Sequence, residues 1–297
     1  MYDYKDFESR MVPAYFISMI AAIDALKALM DEHRREHELL FEDLQKSASL
    51  MMRKRAYSNR KRSAGFPGYC NVMERVEKAT SEDTFTVCGM LQLYRDVTGN
   101  GGTQESMPED TAKSLEELCI AYYISRENVY IHPLILIPKV LFDFSAIAPF
   151  VKGNEVMLEI LAQHLLKEHG YEAGRYAQLE KEAFSKTFRE QVENGAYTEL
   201  QFTELFLQGL KECYRKLEER YERMKERTLT KKMRIASIIL ESPEPISKAE
   251  ILMCLPDVSE TTVEAQLSAL CKKGAIERVG TRKDAAYRKM QNGSESK

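Results

Sequence analysis

The chain has 297 residues, of which 44% are apolar and 30% are charged, and its formal net charge at pH 7 is only −3. This length allows one large domain or two smaller ones with a substantial core, and we expect two. The small net charge excludes a strong overall attraction to nucleic acid, and no stretch approaches the ~20 uninterrupted apolar residues that span a bilayer.

The first 60 residues are predicted to be N-terminal helices that pack on the core. Between residues 12 and 52, apolar residues recur at spacings of three and four, which is typical of two helices. Their predicted core positions are Tyr15, Phe16, Met19, Ile20, Ile23, Leu26 and Leu29, then Leu39, Leu40 and Leu44. Residues 53–62 contain six basic residues and no acid. This stretch fits a solvated helix face or a surface for an anionic partner.

Three more helices are predicted before the middle of the chain. Residues 71–78 and 84–97 have helical patterns, and another helix starts at Pro108 with acids in its first turn, where the helix dipole favours them. The buried face of that helix is predicted to contain Leu115, Leu118, Cys119 and Tyr122. Between these helices, residues 99–102 form a Gly-rich, turn-prone loop.

Residues 147–159 are the most informative stretch, because a helical pattern breaks there into a Pro/Gly loop and then resumes. The flanking apolar positions are Leu134, Ile137, Leu141, Phe144 and Ile147, then Met157, Ile160, Leu161, His164 and Leu165. This spacing predicts a helix–loop–helix with both helices buried. Free backbone N–H groups at a helix start bind phosphates. Lys152, Gly153 and Asn154 are therefore the candidate contacts to a phosphate group.

The residues Pro149, Phe150, Gly153 and Asn154 resemble the signature loop of Fic proteins, His-Pro-Phe-x-(Asp/Glu)-Gly-Asn-(Gly/Lys)-Arg-x-x-Arg. The resemblance covers roughly residues 60–225. It implies a Fic-like helical bundle and, for the family, protein adenylyltransferase activity: transfer of AMP from ATP to a protein hydroxyl.

The chemical positions of this chain depart from that pattern. The catalytic His position is Ala148, the metal-binding acid is Lys152, and the two Arg positions are Val156 and Glu159. We therefore predict no catalytic residue, no metal site and no cofactor.

Glu155 is predicted to occupy the phosphate position in place of a ligand. A carboxylate in the first turn of a helix can satisfy the free N–H groups itself. It would also repel a phosphate, since two like charges about 4 Å apart cost roughly 4 kcal/mol at an effective dielectric near 20.

Two further parts of the Fic pattern are weak in this chain. Self-inhibited family members have a (Ser/Thr)-x-x-x-Glu-(Gly/Asn) helix, whose Glu pairs with the second signature Arg. The matching stretch ends in Ala64-Gly65 and lacks that Glu. The family's target-clamping flap follows a Tyr-Arg pair like Tyr94-Arg95, but the loop here has few β-branched residues. Whether a flap forms near residues 99–108 stays open.

Other polar residues near the loop are given structural roles. His132 starts the preceding helix and is interpreted as a surface or capping residue, and Asp143 is not expected to form a base–acid pair with it. His164 and His169 are interpreted as core or end-cap residues. A long amphipathic helix over residues 200–221 resembles the closing helix of longer Fic proteins.

The C-terminal part is predicted to be a winged helix-turn-helix. Helices at 231–240, 247–255 and 261–273 precede a hairpin at 274–280 and 285–289, and Ser247 and Ser259 are N-caps, the first with a capping box to Glu250. Many Fic proteins end in such a module. The candidate DNA contacts are Thr261, Thr262, Lys272, Arg282 and Lys283. Glu260 and Glu264 would repel phosphates, so a packing or dimerisation module stays an equal alternative.

The fold class that follows is mainly α: a Fic-like helical bundle and then a small α+β winged helix domain. The predicted domains are N-terminal helices (1–60), a Fic-like helical domain (61–227), a winged helix (228–290) and a disordered tail (291–297). The six scattered cysteines are interpreted as reduced, buried small hydrophobes, and the N-terminus lacks a signal-peptide pattern, so we expect a cytoplasmic protein.

The leading functional hypothesis is a catalytically inactive Fic-like protein that acts as a binding or regulatory scaffold. It would bind a protein partner and no membrane, while DNA binding through residues 228–290 and homodimerisation stay open. The alternative is an atypical adenylyltransferase that uses ATP and Mg²⁺ at Lys152 and the Gly153-Asn154 loop.

Overall fold

The computed structural model describes residue 4 and residues 11–58, 66–78, 85–99, 107–172, 184–225, 230–280 and 285–290. Several sequence predictions fall outside the described residues: the side chains of the basic stretch 53–62, the Ala64-Gly65 motif, loop residues 100–106, Arg282, Lys283 and the tail 291–297. In the part that is described, no helix is long and apolar enough to cross a membrane.

Helices dominate the described chain, which confirms the predicted mainly α fold. In chain order they are α1 (Ala14–Glu36), α2 (Glu38–Ser58), α3 (Tyr69–Lys78), α4 (Val87–Thr98), α5 (Glu109–Arg126), α6 (Pro133–Ile147), α7 (Asn154–Glu168), α8 (Phe184–Asn194), α9 (Glu199–Lys225), α10 (Lys231–Glu241), α11 (Lys248–Cys254) and α12 (Glu260–Lys272). The strands are β1 (Ile246–Ser247), β2 (Ile276–Val279) and β3 (Ala286–Lys289).

The chain divides into two compact units, each built from two segments. Unit 1 comprises Met1–Met30 and Ala56–Lys216, and unit 2 comprises Asp31–Arg55 and Leu217–Lys297. Unit 2 therefore includes residues 31–55, which the sequence boundaries place with the N-terminal helices, and residues 217–227, which they place in the central helical domain.

Helix α7 lies at the centre of unit 1 and packs against α3, α6 and α8. The predicted apolar positions of α6 and α7 are almost all buried, because residues three and four apart fall on one helix face. Pro133 begins α6, where its missing N–H costs nothing. The helix–loop–helix predicted for residues 147–159 is confirmed by these two helices and the loop between them.

Two predicted core residues are in fact exposed. Tyr15 retains 48% of its surface exposure and Leu39 retains 65%, while Phe16 and Leu40 beside them are buried. Adjacent helical residues do not share a face, so one residue of each pair must point away from the core. The Tyr15 hydroxyl instead donates to Glu204 at 3.2 Å.

Unit 2 ends in a helix–strand–helix–helix–hairpin arrangement, in which the three helices and the hairpin follow the order predicted for residues 231–289 and the short strand β1 replaces part of a predicted turn and helix start. Its three antiparallel strands have the order β1-β3-β2, with Ile246 opposite Tyr287 and Arg278 opposite Tyr287 on the other side. A core of aliphatic residues from α10, α11, α12 and the sheet fills its interior. The predicted capping box at Ser247 and N-cap at Ser259 are both present.

Candidate functional site

Helix α6 ends in a left-handed residue where the resemblance places the catalytic histidine. Ala148 has φ 44° and ψ 60°, and its N–H donates to the Phe144 carbonyl at 3.0 Å. It is the one non-glycine residue with positive φ in the described ranges. This conformation costs an alanine roughly 1–2 kcal/mol relative to a right-handed one. The methyl side chain supplies neither a base nor a hydrogen-bond donor.

Phe150 is held in place by two neighbours. The Asn154 side chain accepts from the Phe150 N–H at 3.1 Å and donates to the Phe150 carbonyl, so the oxygen and the nitrogen of the amide both bond to the backbone of one residue. The Tyr94 ring stacks on the Phe150 ring with centroids 4.0 Å apart and planes within 9°. Asn154 thus acts inside the loop, closing the turn that precedes α7.

Gly153 caps the start of α7 in a conformation that requires glycine. Its φ is 82°, and no side chain caps the first turn. An ideal Cβ at this position would lie 2.5 Å from Cε1 and 2.7 Å from Cζ of Phe66. The Phe66 ring therefore lies directly against Gly153 at the start of α7.

The prediction that Glu155 satisfies those N–H groups is wrong. Glu155 is half-buried, and the described chain contains no hydrogen bond to its carboxylate. Phe66, an aromatic residue from the turn before α3, lies against Gly153 at the helix start. Local pattern could not reveal this contact, because it joins segments that are far apart in the chain.

The three candidate phosphate contacts are adjacent in space but differ in availability. Lys152 is exposed, next to Val151, which is also exposed, and within the described ranges its ammonium has no partner. Gly153 is covered by Phe66, and the Asn154 side chain is committed to Phe150. Only Lys152 presents a free polar group to solvent.

The positions of the two signature arginines are buried in unit 1. Val156 lies in the core, and the Glu159 carboxylate accepts from the Tyr69 hydroxyl at 3.2 Å. Tyr69 is itself almost fully buried. Glu159 therefore has a structural bond that an arginine could not make, because a guanidinium has no acceptor.

The histidines have the structural positions predicted for them. His132 is the N-cap of α6, where its Nδ1 accepts from the Leu134 N–H at 3.2 Å, and His169 is the C-cap of α7. His164 is buried in α7 and its Nε2 has no hydrogen-bond partner. Burial lowers the pKa of both His164 and His169, an effect that the nearby Glu168 carboxylate only partly opposes.

Asp143 does not face a histidine. Its carboxylate accepts from the Tyr4 hydroxyl at 2.6 Å and from the Lys139 ammonium at 2.5 Å. These two bonds compensate the Asp143 carboxylate for its burial. In the part of unit 1 that is described, no base–acid pair is formed near the loop.

The described cysteines are all free thiols, and burial raises the pKa of Cys119 and of Cys213 to about 12. Cys88 is exposed and Cys271 is half-buried, which corrects the prediction that the cysteines are buried. Among the described side chains, no group of three or more His, Cys, Asp and Glu residues could hold a metal ion.

The candidate DNA contacts are spread over helix α12 and the hairpin. Thr261 and Lys272 are exposed, whereas the Thr262 hydroxyl lies 2.8 Å from that of Ser259 within the N-cap. Nearby, the Lys248 ammonium bonds to both Glu260 and Glu264 at 2.7 Å. These bonds raise the pKa of Lys248 and lower that of Glu260.

Comparison with solved structures identifies a protein of the same fold. The chain is similar to a Fic family protein from Desulfovibrio desulfuricans G20, with 17% sequence identity, a TM-score of 0.51, and coverage of 96% of this chain and 99% of that one. No protein-family model and no curated protein matches the sequence. At this identity the similarity shows the fold alone, so the chain has a mainly α, Fic-like fold.

Proposed function

We propose that this protein is a catalytically inactive Fic-like protein that works by binding, as a regulatory or interaction scaffold. The observation that carries the proposal is the Phe66 ring packed against Gly153 at the start of α7. It puts an apolar group beside the N–H groups that would hold a phosphate.

Transfer of a nucleotide to a protein hydroxyl makes demands that this loop does not meet. A hydroxyl has a pKa far above neutral, so a base must lie within hydrogen-bond reach and cations must stabilise the charge that develops on the phosphate. Ala148 is no base. Lys152 cannot coordinate Mg²⁺, which requires oxygen ligands, and Val156 offers no guanidinium.

The surroundings of the start of α7 also argue against phosphate binding. A bound phosphate needs several N–H groups in a water-accessible concavity. Here the Phe66 ring lies against Gly153, and the Asn154 amide, which could otherwise reach a ligand, makes two hydrogen bonds to Phe150. Lys152 alone attracts anions, as a single exposed charge worth little in water.

A calorimetric titration of the full chain with ATP, with and without Mg²⁺, tests the proposal, and we expect no heat of binding. In parallel, the protein is incubated with labelled ATP, Mg²⁺ or Mn²⁺ and cell lysate. Label transfer to protein that is lost in Lys152→Ala, but kept in Lys211→Ala, would refute the inactive state. Lys211 is a suitable control because it is exposed and, in the described chain, unpaired.

The competing function is an atypical adenylyltransferase. One observation favours it: among the described residues, the N–H groups of the first turn of α7 have no side-chain acceptor, and Lys152 is free beside them. A nucleotide could reach them only if the Phe66 ring moved. ATP binding by wild-type protein that tightens in Phe66→Ala would support this function, whereas equal lack of binding in both proteins would reject it.

A second proposed activity is DNA binding through the C-terminal module of unit 2. Its element order and β1-β3-β2 sheet are consistent with the proposed winged helix, and Lys272, Lys273, Arg288 and Lys289 are exposed cations on it. Glu260 and Glu264 oppose DNA binding. Lys248 bonds to both carboxylates and offsets only one of their two negative charges, so one remains at the start of α12.

Salt dependence decides whether the module binds DNA. Phosphate contacts release counterions, so the affinity for duplex DNA should fall steeply as salt rises, and Lys272→Ala should reduce that slope by about 1. The experiment uses the full chain with duplex from its own upstream region. Affinity that does not change with salt would reject DNA binding.

A further inference from the structure

Unit 2 contains a cleft between helix α12 and the β2–β3 hairpin. Its volume is about 540 Å³. Small-molecule sites in proteins typically have volumes of about 300–1,000 Å³, are concave and are lined by apolar groups with a few polar ones. The cleft has the size of a ligand site, and it lies far along the chain from the signature-like loop.

The two walls of the cleft differ in character. Helix α12 contributes Leu267, Ser268 and Cys271, and Cys271 neighbours both of the others because it follows them by four and three residues. The hairpin contributes Arg278 and Tyr287, which are directly opposite each other across β2 and β3 and so project from the same face of the sheet. The α12 wall thus presents the exposed Ser268 and the half-buried Cys271 above the buried Leu267, and it faces a cation and an aromatic ring on the other wall.

The polar groups of the cleft that have no partner in the described chain are hydrogen-bond donors. The Arg278 guanidinium, the Tyr287 hydroxyl and the Ser268 hydroxyl make no hydrogen bond within the described residues. The one carboxylate in the lining, that of Glu264, is bonded to the Lys248 ammonium at 2.7 Å. Lys248 also bonds to Glu260, so one acidic charge remains at this end of α12, and the Arg278 guanidinium on the opposite wall is the cation that a ligand would meet.

We propose that this cleft binds a small organic anion, with its acidic group on Arg278 and its apolar body between Cys271 and Tyr287. A guanidinium binds a carboxylate through two parallel N–H···O bonds, which are stronger than bonds between neutral groups. The Tyr287 and Ser268 hydroxyls add donors on either side. This ligand site would be separate from the loop at residues 147–159. A failure of the anion-binding proposal would therefore not bear on the proposed lack of catalysis, and the reverse also holds.

The probe for this site is 8-anilinonaphthalene-1-sulfonate, an aromatic sulfonate that fluoresces on binding apolar surface. Titrated into the full chain, it should bind saturably at one site. Arg278→Gln should raise its Kd about tenfold, the loss expected for a charge-assisted hydrogen bond. The control is Arg288→Gln on the same hairpin, since Arg288 is paired with Glu277 at 2.6 Å and does not line the cleft. Its Kd should stay within about twofold of wild type.

Competition experiments separate the possible sources of the anion. Benzoate or hexanoate should displace the probe, whereas hexanol, which has a similar apolar body and no charge, should not. Equal Kd values for the two arginine variants, or no saturable binding, would overturn the proposal. Displacement by duplex DNA that weakens steeply with salt would also overturn it, since Arg278 would then contact backbone phosphates.

Discussion

Replacing Gly153 with alanine should destabilise unit 1 more than the same change at Gly195. Both glycines have positive φ, 82° and 56°, so each alanine pays about 1–2 kcal/mol for the left-handed backbone. At Gly195 the new methyl group meets nothing within 4 Å, while at Gly153 it would lie 2.5 Å from the Phe66 ring. Displacing a packed ring costs about 1–3 kcal/mol more. We expect a total of about 2–5 kcal/mol for Gly153→Ala and about 1–2 kcal/mol for Gly195→Ala.

The assay is urea unfolding followed by far-UV circular dichroism, with free energies from linear extrapolation. A double-mutant cycle with Phe66→Ala isolates the contact with the ring. In the Phe66→Ala background, Gly153→Ala should cost no more than the backbone share, about 1–2 kcal/mol. If the extra cost persists without the ring, or if the two glycine variants are equally unstable in the wild-type background, Phe66 does not cover the start of α7.

Three further predictions concern stability. Arg234→Met should lower the free energy of unfolding in urea by about 3–5 kcal/mol, because it leaves the Asp43 carboxylate, which is only 1% exposed, without its cation. The double variant Asp43→Leu/Arg234→Met should recover most of this loss. A double variant as unstable as the single one would contradict the pairing. Ala148→Gly should stabilise the protein by about 0.5–1 kcal/mol by removing the left-handed strain, and an unchanged or lower unfolding free energy would count against it. Burial lowers the pKa of His164 in the folded state, so the unfolded chain takes up the proton first and the free energy of unfolding should fall as pH drops below about 6.5. Urea unfolding at several pH values should show a weaker pH dependence of this free energy in His164→Leu. An identical pH dependence would exclude His164 as its cause.

The fold could be predicted largely because its signals are local. The spacing of apolar residues in α6 and α7, the proline at the start of α6 and the serine caps of α11 and α12 each depend on residues within a few positions of one another. Helix boundaries respond to such neighbours directly. The C-terminal hairpin followed from the same kind of evidence, a glycine turn between two short strand-like stretches.

The contents of the site could not be predicted in the same way. Phe66, Tyr69 and Tyr94 all contact the loop or α7, yet each comes from a distant segment whose approach depends on how α3, α4 and α7 pack. Glu155 was predicted to bond to the free N–H groups of α7 from its position in the first turn, which is a local argument. The structure instead has a tertiary contact there, between Phe66 and Gly153. Only the Asn154–Phe150 bond carried a local signal, since asparagine side chains often bond to backbone a few residues away.

The backbone conformation at Ala148 determines which amino acids this position can accept. Left-handed φ values are adopted by asparagine, aspartate and histidine several times more often than by other non-glycine residues. At φ 44° the backbone of Ala148 already has the left-handed conformation that these residues tolerate, whereas β-branched residues are disfavoured in it. Random replacement at this one codon should therefore enrich for glycine, asparagine, aspartate and histidine among folded variants. The path from alanine to an imidazole at the end of α6 requires no rearrangement of the main chain.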